Sequence, residues 1–166
     1  GMGTVSPLSV KSYMGKWIFF VSFNPIPGLY AFNGISVKYL SEKVEPIFQG
    51  MNKANFHKIC SGINENHLWI SYPDSNSTVN NKTLIYNIEL EAWSQANLGV
   101  GSFTNQWSSL DTIKFIWGTS SSGNSYINRY ATSVLDNATD SITLSYKSKE
   151  ITLDDLTTRK RFRELF

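Results

Sequence analysis

The chain has 166 residues and a formal net charge of +2; charged residues make up 17% and aromatic residues 14%. This length suits one domain with a buried core and is short for two, and the aromatic content excludes a disordered chain. A single cysteine excludes an internal disulfide, and no apolar run approaches the roughly 20 residues that span a bilayer. We therefore expect a weakly basic, globular chain with no membrane partner.

The ends of the chain differ in character from its middle. Gly1 ahead of Met2 is typical of the remnant of a cleaved tag, and the charged-then-apolar layout of a signal peptide is missing. We expect residues 1–12 to be a tag remnant and N-terminal arm. Residues 13–150 are expected to form the domain, and residues 151–166 a tail or helix.

The composition of residues 13–150 favours strands. Ser, Thr, Asn, Tyr, Phe, Ile and Val dominate, and helical periodicity is nearly absent. This predicts an all-β fold of antiparallel sheets. The predicted strands, in chain order, are 13–22, 29–33, 35–40, 56–61, 67–72, 83–88, 91–95, 103–108, 112–119, 126–131 and 141–148.

The strongest turn signal is Asn33-Gly34. Both residues tolerate positive φ, and a two-residue turn of this kind matches the twist of the strands beside it. It predicts a hairpin over residues 29–40.

Tryptophans recur at a spacing close to 50. Trp17, Trp69 and Trp117 lie 52 and 48 residues apart, and each is followed by a loop and a tyrosine-bearing strand. Several short strands in about 50 residues is the size of a β-propeller blade. The pattern predicts about three blade-like units in residues 13–150, with a β-sandwich as the alternative. Because three blades cannot close a ring, the chain would be part of a longer protein or combine with other copies.

Three stretches resemble a known family: GLYAFNGISVKYLSEKVEPIF (28–48), LIYNIELEAW (84–93) and KEITLDDLTTRKRFREL (149–165). They are similar to blade boundaries and the closing run of β-propeller virion proteins in the tails of short-tailed phages. The resemblance covers most of the chain, although the family's fourth to sixth blades have no counterpart here. It implies a partial propeller with a structural role, located in a virion.

The last residues are open to two interpretations. Acidic residues precede basic ones in 151–166, which favours a short C-terminal helix, whereas the resemblance implies a strand. Arg159, Lys160, Arg161 and Arg163 form a candidate basic contact patch. A solvated tail is the favoured interpretation, and nucleic acid is not an expected partner because few aromatic residues interleave with these charges.

No set of residues predicts catalysis. His57, Cys60 and His67 lie within eleven residues, but residues three apart on a strand point to opposite faces, so we expect no metal site. Cys60 is expected to behave as a small buried hydrophobe. No nucleophile elbow or phosphate-binding glycine loop is present, and the carboxylate pairs adjoin turns. We predict that the protein is not an enzyme and needs no cofactor.

Two classes of function remain. The first is a structural and interaction module, with protein partners or self-association completing the sheet or ring. The second is a carbohydrate-binding module in which exposed aromatics stack on sugars. Trp93 and Trp107, which lie outside the repeated tryptophan positions, are its candidate residues, and packing in the core is the competing interpretation for each.

Overall fold

The structure is a computed structural model that describes residues 3–107, 113–121, 124–130, 136–137, 140–141 and 144–145. Its first strands are β1 (Lys11–Tyr13), β2 (Trp17–Ser22), β3 (Gly28–Phe32), β4 (Val37–Tyr39), β5 (Cys60–Asn64), β6 (His67–Tyr72), β7 (Lys82–Asn87) and β8 (Ala92–Ala96). They are followed by β9 (Ser102–Trp107), β10 (Ile113–Ser121), β11 (Asn124–Arg129), β12 (Asp136–Asn137), β13 (Asp140–Ser141) and β14 (Leu144–Ser145). The helical elements are α1 (Glu45–Gln49) and 3-10 helices at Pro7–Ser9, Glu42–Val44 and Lys53–Lys58.

Consecutive strands pair into three main antiparallel sheets. Sheet I has the order β1-β2-β3-β4, sheet II has β5-β6-β7-β8 with β14 added beside β8, and sheet III has β9-β10-β11. Strands β12 and β13 form a separate ladder. Apart from β14, the strands of each main sheet form an up-and-down meander built from neighbouring parts of the chain. The all-β prediction is confirmed.

Sheet II is buried on both faces. Successive side chains of a strand point to opposite sides, so one strand contributes to two core clusters. Leu68 and Ile70 on β6 pack in one core cluster with Phe19 and Val21 of sheet I. Trp69, between them, packs instead against a second cluster that includes Phe115 and Trp117 of sheet III. The sheets therefore stack in chain order, with sheet II in the middle.

We call the face of a sheet that points to the next sheet its front face, and the opposite face its back face. The first strands of the three sheets adjoin at one edge of the stack, where β5 lies beside both β1 and β9. Two hydrogen bonds support this edge. The Ser61 hydroxyl of β5 donates at 2.9 Å to the carbonyl of Ser9, in the 3-10 helix before β1, and the Asn105 amide of β9 donates to the Ile63 carbonyl of β5 at 3.2 Å. Along this edge, the first strands of sheets I, II and III lie next to one another in chain order.

The predicted strand 13–22 is confirmed over 17–22, which forms β2, but its start is wrong, because a turn separates β2 from β1. Met14 and Gly15 both have positive φ (52° and 64°), and the Lys16 amide donates to the Tyr13 carbonyl at 3.1 Å. A tight turn of this kind makes a hairpin, in which Tyr13 pairs with Trp17. The first strand therefore begins at Lys11, within the segment expected to be an arm.

The predicted strand 56–61 is also wrong over its first half. The 3-10 helix Lys53–Lys58 occupies it, and β5 begins only at Cys60. The Asn52 side chain caps this helix by accepting a hydrogen bond from the Ala54 amide at 3.1 Å. Pro46 opens α1, where the fixed φ of proline suits the first turn of a helix.

The hairpin predicted over residues 29–40 is confirmed, with a longer loop than a two-residue turn. Phe32 pairs with Val37, so residues 33–36 form the loop. The Asn33 side chain accepts hydrogen bonds from the amides of Ile35 (3.0 Å) and Ser36 (2.8 Å), and Gly34 has a φ of 91°. The side chain of Asn33 thus organises the turn.

In the described ranges, no helix is long and apolar enough to cross a membrane.

Candidate interaction surfaces

The junction of sheets I and II has an aromatic centre and a polar rim. The Lys38 ammonium on the front face of sheet I lies 2.7 Å from Glu91 in the β7–β8 turn. The Tyr13 hydroxyl donates to Asn66 at 2.8 Å. Both pairs cross from one sheet to the next. They link the rims of the two sheets, although an exposed ion pair such as Lys38–Glu91 contributes little stability.

Trp93 lies at this same junction, on the back face of sheet II. Its half-buried ring packs on Tyr86 (centroids 4.8 Å apart) and meets Phe48 edge-on at 6.2 Å. The indole N–H donates to the Leu40 carbonyl at 3.4 Å. These contacts connect Trp93 to the core, and its role in sugar stacking stays a prediction. Trp107 is on β9, and its side chain lies outside the described part of the structure.

The junction of sheets II and III is built from stacked rings. Trp69 and Trp117 stack with centroids 6.3 Å apart, and Phe103 stacks on Phe115 at 5.4 Å. Gly62 leaves the room for these rings, since a Cβ at this position would lie 2.8 Å from an atom of Phe115. The close approach of the two sheets therefore depends on a glycine that the sequence analysis did not single out.

The histidines and the cysteine considered as metal ligands lie in different environments. His57 is exposed on a 3-10 helix, so the prediction that placed His57 and Cys60 on opposite faces of one strand was wrong. Cys60 is buried against sheet III, and His67 lies 3.1 Å from the Asn87 amide. In the described ranges, no three His, Cys, Asp or Glu residues lie close enough to hold a metal ion.

Cys60 is a buried hydrophobe, as predicted. It is 1% exposed, and its thiol donates to the Val100 carbonyl at 3.3 Å. Burial raises the pKa of the thiol to about 12, which keeps it protonated at neutral pH. A thiol of this kind is a poor nucleophile and a poor metal ligand.

The back face of sheet I is apolar and carries acidic groups at its outer end. Tyr30 lies between Phe20 and Tyr39, with ring centroids 5.8 and 5.1 Å away. Ile18 and Val37 on this face are 41% and 42% exposed. The residues of the back face of sheet I are Ile18, Phe20, Tyr30, Phe32, Val37 and Tyr39.

The acidic end of this surface is formed by the segment that follows β4. The Tyr39 hydroxyl donates to the Glu45 carboxylate at 3.2 Å. Burial, followed by the charges of Glu45 and Glu42, raises the pKa of Tyr39 to about 12. The Glu45 carboxylate therefore lies against the outer strand of sheet I.

The front face of sheet III combines isoleucines with basic residues. Pairing across β10 and β11 places Ile116 beside Arg129 and Gly118 beside Ile127, on the side opposite Phe115 and Trp117. Ile127 is 85% exposed. We call this surface the front face of sheet III; its residues are Lys114, Ile116, Gly118, Ile127 and Arg129.

A cleft of about 210 Å³ opens where the first strands meet. It is lined by residues of β1, β5 and β9 together with Phe115. Lys11 is its basic residue, and Asn105 donates to the Ile63 carbonyl at its wall. The cleft is small and open, and in the described ranges it holds no pair of titratable groups suited to acid–base chemistry.

The predicted C-terminal features lie outside the described residues. These are the helix or strand over 151–166 and the basic patch of Arg159, Lys160, Arg161 and Arg163. Compared with protein-family models and with curated proteins, the chain shows no match.

Proposed function

We propose that the protein is a non-catalytic structural and interaction module, a partial or oligomer-completed β-propeller from the tail of a phage or prophage virion. The observation that carries this proposal is the stacking of sheets I, II and III in chain order, front face against back face. The phage component rests on the resemblance of residues 28–48, 84–93 and 149–165 to propeller proteins of virion tails.

The arrangement of the sheets supports a propeller over a sandwich. A β-sandwich packs two sheets face to face, so each sheet buries one face. Sheet II buries both, and its first strand β5 adjoins the first strands of the sheets on either side. In a propeller, blades of antiparallel strands repeat around a central channel, so each blade lies between two neighbouring blades.

The ionisable groups support a structural role. Among the described residues, the carboxylates with lowered pKa are Asp74 and Glu91, and each lies in an ion pair with a lysine near the surface. The groups with raised pKa are Cys60 and tyrosines that pack in the sheets, and burial is the main cause. Catalytic sites instead concentrate shifted groups in one cleft.

Composition of purified particles tests this proposal. Cells that carry the gene would be induced to produce phage particles. The particles would be treated with nuclease, separated on a density gradient and analysed by mass spectrometry. We expect peptides of this chain in the particle fraction, and an antibody against it to label the tail in electron micrographs. Expression of the chain in these cells without its presence in any particle would contradict the proposal.

Titration with soluble glycans tests the carbohydrate-binding alternative. Binding that is lost in a folded variant with both Trp93→Ala and Trp107→Ala would favour a lectin. Absence of binding to any glycan would remove that alternative and leave the structural proposal standing.

A further inference from the structure

We infer that the front face of sheet III binds the back face of sheet I on a second copy of the chain. This inference rests on the proposed function and names a second copy of the chain as the partner. Two copies joined by two such contacts would form a closed ring of six sheets.

The contacts between consecutive sheets within one chain support a second copy as the partner. The front face of sheet I covers the back face of sheet II, and the front face of sheet II covers the back face of sheet III. In the described part of the chain, the faces of these three sheets without a sheet partner are the back of sheet I and the front of sheet III. A second copy placed by the same rule brings these two faces together.

The two surfaces match in apolar character. Ile18 and Val37 are each about two-fifths exposed on the back face of sheet I, with Phe20 half-buried beside them. Ile127 is 85% exposed on the front face of sheet III, and Ile116 is half-buried. Contact between the surfaces would remove these side chains from water, which is the main favourable term in protein association.

The two surfaces also match in charge. Lys114 and Arg129 lie on the front face of sheet III, whereas the Glu45 carboxylate accepts a hydrogen bond from Tyr39 at the outer end of the back face of sheet I. Among the described residues, neither basic side chain lies in a salt bridge. Opposite charges on the two surfaces would steer the copies into one orientation.

Ring closure sets the number of copies. A head-to-tail contact gives a closed ring if its rotation closes and a filament if it does not. Two copies of a three-sheet stack would supply six sheets, which lies within the range of about four to eight blades in propellers. We therefore expect a dimer as the end point.

Sedimentation velocity of the full chain over a range of concentrations tests this inference. We expect a dimer for the unchanged protein and about a tenfold or larger rise in its dissociation constant for Ile127→Asp. The matched control is Met14→Asp, which replaces a 79% exposed apolar residue in the β1–β2 turn, where aspartate tolerates the positive φ. Thermal unfolding would confirm that both variants fold.

Charge reversal adds a test of orientation. Arg129→Glu and Glu45→Arg are each expected to weaken the dimer, and the double variant is expected to recover part of the lost affinity. Non-additivity in such a cycle reports on direct coupling between the two side chains.

Two outcomes would overturn the inference: a monomer at every concentration, and a dimer unaffected by Ile127→Asp. In a monomer, protection of β10 and β11 from hydrogen exchange would show that other residues of the same chain cover sheet III. None of these outcomes affects the presence of the chain in virions, so the inference and the proposed function fail separately.

Discussion

The indole rings of Trp69 and Trp117 stack across the junction of sheets II and III, with centroids 6.3 Å apart and planes inclined by 19°. Trp69 lies on the front face of sheet II and Trp117 on the back face of sheet III. The two tryptophans therefore do not occupy equivalent positions in successive units, although their sequence spacing suggested it. They are partners in one interface.

Truncation of one ring should destabilise the stack. We expect Trp117→Ala to lower the free energy of unfolding by about 3–5 kcal/mol, because it opens a cavity beside Trp69 and Phe115. Trp117→Phe should cost much less, since within the described residues the Trp117 indole N–H donates no hydrogen bond that phenylalanine would lose. Urea unfolding measures both, with Tyr126→Ala, at a 45% exposed position, as the control. Equal losses for alanine and phenylalanine would contradict this packing.

The close approach of sheets II and III should make Gly62 sensitive to one added methyl group. A Cβ at Gly62 would collide with Phe103 and lie 2.8 Å from Phe115, so Gly62→Ala should cost about 1–3 kcal/mol. The matched control is Gly101→Ala, where the nearest atom lies 3.7 Å away. Denaturant midpoints of the two variants give the comparison, and a neutral Gly62→Ala would mean that the sheets lie further apart.

A buried hydroxyl should contribute to the stability of sheet I. The Ser41 hydroxyl is buried and accepts a hydrogen bond from the Leu29 amide at 2.6 Å. Ser41→Ala would leave that amide unpaired in the core, which should cost about 1–3 kcal/mol. Ser36→Ala, in the exposed loop of the same hairpin, should change the unfolding midpoint little. A larger effect at Ser36 than at Ser41 would contradict this assignment.

Cys60 should be unreactive in the folded protein. Burial raises the pKa of its thiol to about 12 from the ordinary value of 9.0, so a thiol reagent at mildly alkaline pH should label the chain only after unfolding. Because the folded pKa is the higher one, the stability contributed by the protonated thiol is complete below about pH 9 and is lost as pH rises towards 12. Cys60→Ala should flatten this alkaline decline. Rapid labelling of the folded protein would contradict the burial.

The sequence predicted elements well where the pattern was local. The strand at 67–72 coincides with β6, because a short apolar run, Leu68 to Ile70, that ends at Pro73 is typical of a strand buried on both faces. The segment 13–22 was misjudged because Met14, which has no turn preference, adopts a positive φ beside Gly15. The helices over residues 42–58 are too short for a periodic pattern, and only Pro46 and Asn52 signal where they begin.

The candidate surfaces could not be derived from the sequence in the same way. Which face of β10 carries Trp117 depends on its register with β9 and β11 and on the placement of sheet II. Only then do Ile127 and Arg129 fall on one surface. The general expectation of blade-like sheets followed from spacing and composition, whereas the order of the stack required the long-range packing of side chains.

The most direct test of the stacked arrangement is a nuclear Overhauser spectrum of the protein with labelled tryptophans, assigned through Trp69→Phe and Trp117→Phe. We expect cross-peaks between the two indole rings, and between Trp69 and Phe115, because these rings are in contact across the junction of sheets II and III. Their absence, in a protein that still shows the contacts of Phe48 with Trp93, would place sheet III elsewhere and contradict the stack.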